Sequence, residues 1–170
     1  YILEGGLPGL GWKKQDSRIK ISGNLEKGIV TFAKSKETSA LLKDKTLTIQ
    51  QVGKTTIKLP RVARQSPTLG AEAPKGATIL FDGTSVEHWQ NGKMKDGLLQ
   101  ATGTTSKPTF KNYKLHLEFR TPYKPFARGQ GRGNSGVYFG GRWETQVLDS
   151  FALEGKMNEC GGIYSISEPD

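Results

Sequence analysis

Asn134-Ser135-Gly136-Val137-Tyr138-Phe139-Gly140-Gly141-Arg142-Trp143-Glu144-Thr145-Gln146-Val147-Leu148 is the stretch on which the fold turns. Two runs that alternate in polarity flank a Gly-Gly pair, which is the pattern of a β-hairpin. Successive strand side chains point to opposite faces, so Glu144 and Gln146 share one face and Trp143, Thr145 and Val147 the other. Upstream, Tyr113-Lys114-Leu115-His116-Leu117-Glu118-Phe119-Arg120 repeats the alternation and predicts a second strand. Leu115, Leu117 and Phe119 lie on one side of it, and His116, Glu118 and Arg120 on the other. Two acid-bearing strands in one sheet would gather carboxylates, an amide and a guanidinium, a set suited to holding a polyol and moving its protons. The competing reading is a wet strand laced with Glu–Arg pairs.

Between these strands, Ala127-Arg128-Gly129-Gln130-Gly131-Arg132-Gly133-Asn134 has the glycines of a phosphate loop but neither its Gly-Lys-Ser/Thr ending nor a following amphipathic helix. A tight loop at the sheet rim is expected instead, with Arg128, Arg132 and Asn134 as hydrogen-bond donors. Asp149-Ser150-Phe151 and Asn158-Glu159-Cys160-Gly161-Gly162 are polar loop clusters beyond the hairpin. Ser150 lacks a Gly-x-Ser-x-Gly context and Cys160 a nearby His, so a nucleophilic triad is disfavoured and Cys160 reads as a packing residue. Trp12, Trp89 and Trp143 could stack on sugar rings, although core packing is the commoner use of tryptophan.

The rest of the chain fits an all-β protein. It has 170 residues, 22 of them Gly, with 34% apolar content, enough for one ordinary domain or two small ones. Short alternating runs over Arg18–Ser22, Gly28–Ala33, Ala40–Leu42, Thr46–Val52 and Thr55–Ala63 predict a β-meander, separated by turns at Gly23-Asn24, Glu26-Lys27-Gly28, Lys43-Asp44-Lys45 and Val52-Gly53-Lys54. Ser66–Ala77, with two prolines and two glycines and no periodicity, reads as a linker. The expected organisation is a small β unit over 1–65, a linker over 66–77 and a second domain over 78–170. In the second domain Thr78–Phe81 and Leu98–Ala101 are further expected strands, with a turn at Asp82-Gly83-Thr84.

The net charge of +9 divides unevenly along the chain. Residues 1–77 hold 14 Lys and Arg against 6 Asp and Glu, whereas residues 78–170 hold 11 against 10. Lysines scattered through alternating runs, with no helix-turn-helix, zinc finger or RNA-binding aromatic motif, suit the wet face of a sheet, and no nucleic-acid partner is expected. A single cysteine excludes an internal disulfide and a Cys-based zinc site. No run approaches the ~20 apolar residues of a transmembrane helix. The sequence begins with Tyr1 rather than Met. A cleaved export signal fits that start, and so does a fragment of a longer chain.

Leu80-Phe81-Asp82-Gly83-Thr84, Leu115–Pro122, Ala127–Tyr138, Glu144–Phe151 and Asn158–Tyr164, in that order, resemble the bacterial 3-keto-disaccharide hydrolase family, long listed as a domain of unknown function. The first segment, with Gly5-Gly6-Leu7-Pro8-Gly9 and Ser66-Pro67-Thr68-Leu69-Gly70, resembles the accessory region of planctomycete-type members. The resemblance implies a secreted or periplasmic protein with a concanavalin-like jelly-roll β-sandwich whose concave sheet binds carbohydrate. It implies cleavage of glycosides already oxidised at carbon three, by elimination and then hydration. His116, Glu118, Glu144 and Asp149 become candidates for proton transfer. Arg120, Arg132, Asn134, Gln146 and Glu159 become candidates for substrate binding and charge stabilisation. A divalent ion could be held by His116 and the carboxylates, although no ligand spacing is diagnostic. The resemblance also implies further strands beyond Asp170, so that a partner chain or additional residues are expected to complete the sandwich.

Fold alone does not choose among an enzyme, a non-catalytic carbohydrate-binding module and a structural or assembly protein. The row of His116, Glu118 and Arg120 with Glu144 favours the enzyme, since a binding module would more often present a flat row of exposed aromatics.

Overall fold

The computed structural model describes residues 2–3, 13, 18–33, 38–151 and 153–169. The protein is all-β: its sheets are antiparallel, and no α-helix occurs among the described residues. Two compact units divide at Ser66 and Pro67.

The first unit contains a short pair, β1 (Ile2–Leu3) with β2 (Arg18–Ile19). It also contains a five-stranded meander of β3 (Gly23–Glu26), β4 (Ile29–Ala33), β5 (Thr38–Lys43), β6 (Thr46–Gln51) and β7 (Ile57–Pro60). Its register lines up Leu25, Val30, Leu42, Leu47 and Leu59 across the strands on one face, and Asn24, Thr31, Leu41, Thr48 and Lys58 on the other. Lys58 thus joins a largely polar face. Gly23-Asn24, expected as a turn, instead begins β3. Gly23 faces Phe32 across the ladder, and a Cβ there would stand 2.7 Å from the ring, so the aromatic covers the glycine. The β3–β4 and β5–β6 loops are two residues long, with positive φ at Lys27 (46°) and Gly28 (80°) and at Asp44 (47°) and Lys45 (61°). Both are type I′ geometries, whose twist matches that of the flanking strands.

The second unit is built from short pairs. β8 (Trp89–Gln90) pairs with β11 (Thr105–Ser106), and β9 (Met94–Lys95) with β10 (Leu98–Leu99). The longest ladder joins β12 (Ser135–Phe139) to β13 (Trp143–Val147). The expected hairpin is therefore present, with Gly140 and Gly141 at φ 59° and 68°. Two expected strands do not form ladders. Thr78–Phe81 is held instead through the Leu80 carbonyl, which accepts from the Trp89 indole at 2.8 Å. Residues 113–120 lie outside every ladder among the described residues, because alternation prescribes faces but a strand also needs a neighbour to share its backbone hydrogen bonds. Trp12 lies outside the described residues, as do residues 5–9.

Among the described residues Leu148 is the one buried hydrophobic side chain, 2% exposed. An open apolar cleft of about 230 Å³ lies beside the hairpin, lined chiefly by Leu115, Leu117, Phe119, Val137, Phe139 and Val147. The odd-numbered residues of 115–119 thus share an apolar side with one face of the hairpin. The opposite hairpin face is left for polar groups.

The Asp44-Lys45 turn generates a test. A non-glycine residue in the left-handed region costs about 1 kcal/mol, and the Lys45 carbonyl still accepts from Arg61 N–H at 2.7 Å. Lys45→Gly is expected to raise the urea midpoint of the first unit without changing the slope of the transition; an unchanged midpoint would remove the strain assigned to this turn.

Candidate functional site

The hairpin register pairs Gly136 with Gln146 and Tyr138 with Glu144, which places these four residues on one face. Glu144 Oε2 accepts a hydrogen bond from the Tyr138 hydroxyl at 2.7 Å. Its other oxygen lies over Gly136: a Cβ at that position would collide with the carboxylate and stand 2.5 Å from Glu144 Cγ. Glycine here permits the close approach of this carboxylate, which a Cβ would force to shift, and no special φ is involved. The neighbouring carboxylate holds the Tyr138 phenol above its ordinary range, first through this hydrogen bond, then through desolvation and charge.

Gln146, one position pair away, is 1% exposed. Its Nε2 lies 2.8 Å from Gln130 Oε1, 3.3 Å from Asn134 Oδ1 and 3.2 Å from the Asn158 carbonyl. Gln130 Nε2 also donates to that carbonyl, at 2.8 Å. The glycine-rich loop, tightened by a 3-10 turn over Gly129–Gly131, thereby docks against the strand through amides rather than through a phosphate. Gln146 Oε1 receives no hydrogen bond. On the chain's far side, Gln146 N–H donates to the Gly162 carbonyl and Gly161 N–H to the Gln146 carbonyl, both at 2.9 Å, so the loop after β13 returns along that strand.

The remaining acids serve other ends. Asp149 Oδ1 accepts from Arg132 Nη2 at 2.8 Å, and Arg132 Nη1 donates to the Phe151 carbonyl at 3.1 Å. The two candidates are brought together and occupy one another. Glu159, 8% exposed, accepts from the backbone N–H groups of Glu154 at 3.3 Å and Gly155 at 2.5 Å, which makes it a clasp for its own loop. Ser150 Oγ accepts from Cys160 N–H at 2.8 Å, and Cys160 borders the apolar cleft.

On the extended segment, His116 Nε2 and Glu118 Oε1 are 3.3 Å apart, as alternation requires of residues two positions apart. Glu118 Oε1 also accepts from Gly70 N–H at 2.5 Å. That backbone donor, then the His116 hydrogen bond, holds the Glu118 carboxyl below its ordinary value. Among the described residues no hydrogen bond or ion pair joins Glu144 to His116, Glu118 or Arg120, and no three of His, Cys, Asp and Glu are grouped to hold a metal ion. His116 with the carboxylates therefore does not form a metal centre, and no chemical step is derived through one. Tyr138, Gln130 and Asn158 were not singled out from sequence. Counting outward from Gly140-Gly141 would have paired Tyr138 with Glu144; nothing in the sequence announces the contacts of Gln130 and Asn158.

The Glu118–Gly70 bond carries a pH dependence. A carboxyl whose folded pKa is depressed tethers its donor above the ordinary carboxylate value of 4.5 and releases it as the pH falls through the depressed value. The Gly70 amide is expected to show hydrogen-exchange protection at neutral pH that declines with acidification, and Glu118→Ala should abolish it throughout. Equal protection in both proteins would exclude the tether.

A family model described as a 3-keto-alpha-glucoside-1,2-lyase-like domain matches residues 76–170. No curated protein and no solved structure matches the chain. No helix among the described residues is long and apolar enough to cross a membrane. With the family model spanning more than half of the sequence, and with an antiparallel β unit beneath it, the chain belongs to the 3-keto-alpha-glucoside-1,2-lyase-like family.

Proposed function

We propose that the second unit cleaves 3-keto-glycosides by elimination and then hydration, on the sheet face that carries Glu144. The observation that carries this reading is the state of Glu144: a half-buried carboxylate with one oxygen on Tyr138 and, among the described residues, no hydrogen-bond donor to the other, Oε1. Such an oxygen is available to take a proton. Asp149 and Glu159 are already engaged, the first by a guanidinium and the second by two backbone N–H groups.

The chemistry follows from the ketone. A carbonyl at carbon three acidifies the hydrogen on carbon two, and Glu144 removes it to give an enediolate. The C1–O bond then breaks, a double bond forms between carbons one and two, and the leaving oxygen takes a proton. Water added across that double bond gives the 3-keto sugar, so the net result is hydrolysis. Leu115, Leu117 and Phe119 line the cleft beside the hairpin, so alternation sends His116, Glu118 and Arg120 to the other side of their segment. We take that side to face a substrate bound at Glu144. His116 then supplies the acid for the leaving oxygen, and Arg120 a charge for the enediolate. In a concanavalin-like sandwich this would be the concave sheet. Carbohydrate binding without turnover is the competing reading, but Tyr138 and Trp143, both exposed, lie on opposite hairpin faces and form no stacking row.

Incubation with 3-keto-trehalose should release glucose, and carbon two of a 3-keto-glucoside should exchange with deuterium in heavy water. Glu144→Gln is expected to reduce that exchange by about 10²–10⁴-fold with affinity nearly unchanged, as for loss of a general base. His116→Ala should impair aglycone release more than exchange. Arg120→Lys, which keeps the charge but loses the planar fork, should weaken both. A wild type that binds the keto sugar yet catalyses neither exchange nor release would make the second unit a binding module.

A further inference from the structure

We propose that Tyr138 and Gly136 together position Glu144: the tyrosine hydroxyl ties down Oε2, and the bare glycine Cα opens the space in which Oε1 is held for proton transfer. The proposal rests on the reading of Glu144 as the base. Three observations converge on it. The register sets Tyr138 directly across the ladder from Glu144. The 2.7 Å hydrogen bond runs from the phenol to one oxygen alone. Any side chain at Gly136 would occupy the volume of the other oxygen. A glutamate on a strand face has three rotatable bonds, so an unanchored carboxylate would spend much of its time away from a productive geometry.

The phenol keeps its proton. Held above its ordinary range, first by this hydrogen bond, it remains able to donate throughout the neutral region. The titratable groups facing the pair are few. Tyr164, on the returning loop, acts on Tyr138 through space, and its backbone N–H donates to the Glu144 carbonyl at 2.9 Å. No cation forms an ion pair with Glu144 among the described residues. Removing the phenolic hydroxyl therefore removes the side-chain donor that Glu144 has among the described residues.

Tyr138→Phe keeps the ring and deletes only the donor. The experiment follows the order of the Glu144 side chain by carbon-13 NMR relaxation, in wild type and in Tyr138→Phe, with circular dichroism confirming that both are folded. The side chain is expected to be held in one rotamer in the wild type and to average among rotamers in the variant. With 3-keto-glucoside as probe, kcat should fall roughly tenfold in Tyr138→Phe while KM holds. Gly136→Ala should reduce kcat further, about 100-fold, because it displaces the carboxylate itself. Glu144 side-chain order unchanged in Tyr138→Phe overturns the proposal, whatever the activity. If that order is lost but the wild type exchanges no deuterium at carbon two, the positioning of Glu144 stands and the assignment of Glu144 as base falls.

Discussion

The register of one hairpin governs the second unit. β12 and β13 pair so that Tyr138 meets Glu144 and Gly136 meets Gln146. A slip of one residue would exchange the two faces, carrying Glu144 and Gln146 into the apolar cleft and Val137 and Val147 into the polar cluster. Gly140 and Gly141 take left-handed conformations that close the loop at Phe139 and Trp143, and so set the register. Within it the Glu144 carboxylate lies over Gly136, where a Cβ would make it shift.

Four acids in this unit show how environment separates groups of the same chemistry. Glu118 is exposed and stabilised as an anion by a backbone N–H and a histidine. Asp149 is neutralised by Arg132, which itself bridges to the Phe151 carbonyl. Glu159 is buried, and its oxygens close a loop. Of these four, Glu144 combines partial burial with an uncharged donor on one oxygen, and among the described residues no donor reaches the other. It thus lacks the ion pair that occupies Asp149.

The first unit is organised on simpler terms. Its apolar positions align across five strands, while residues such as Thr31, Thr48 and Lys58 align on the other side. Among the described residues, Lys58 stands on a strand while Lys27 and Lys45 occupy the two-residue turns.

Sequence alone determined what depends on spacing. The all-β class, the meander and the hairpin at Gly140-Gly141 follow from periodicity and turn chemistry, because those are properties of neighbouring residues. So does the pairing of His116 with Glu118, two positions apart on one side of an extended chain. The family was legible too, since its motifs fall in order along residues 80–164. Tertiary structure decided what depends on distant partners. Residues 113–120 alternate as a strand should, yet lie outside every ladder among the described residues, because pairing needs a neighbour that periodicity does not name. Arg132 and Asp149, 17 positions apart, neutralise one another, and Gln146 is enclosed by Gln130 and Asn158, whose motifs do not say which strand they will meet. Which carboxylate keeps a free oxygen is a matter of who stands beside it, and that is fixed by the way loops return to the sheet.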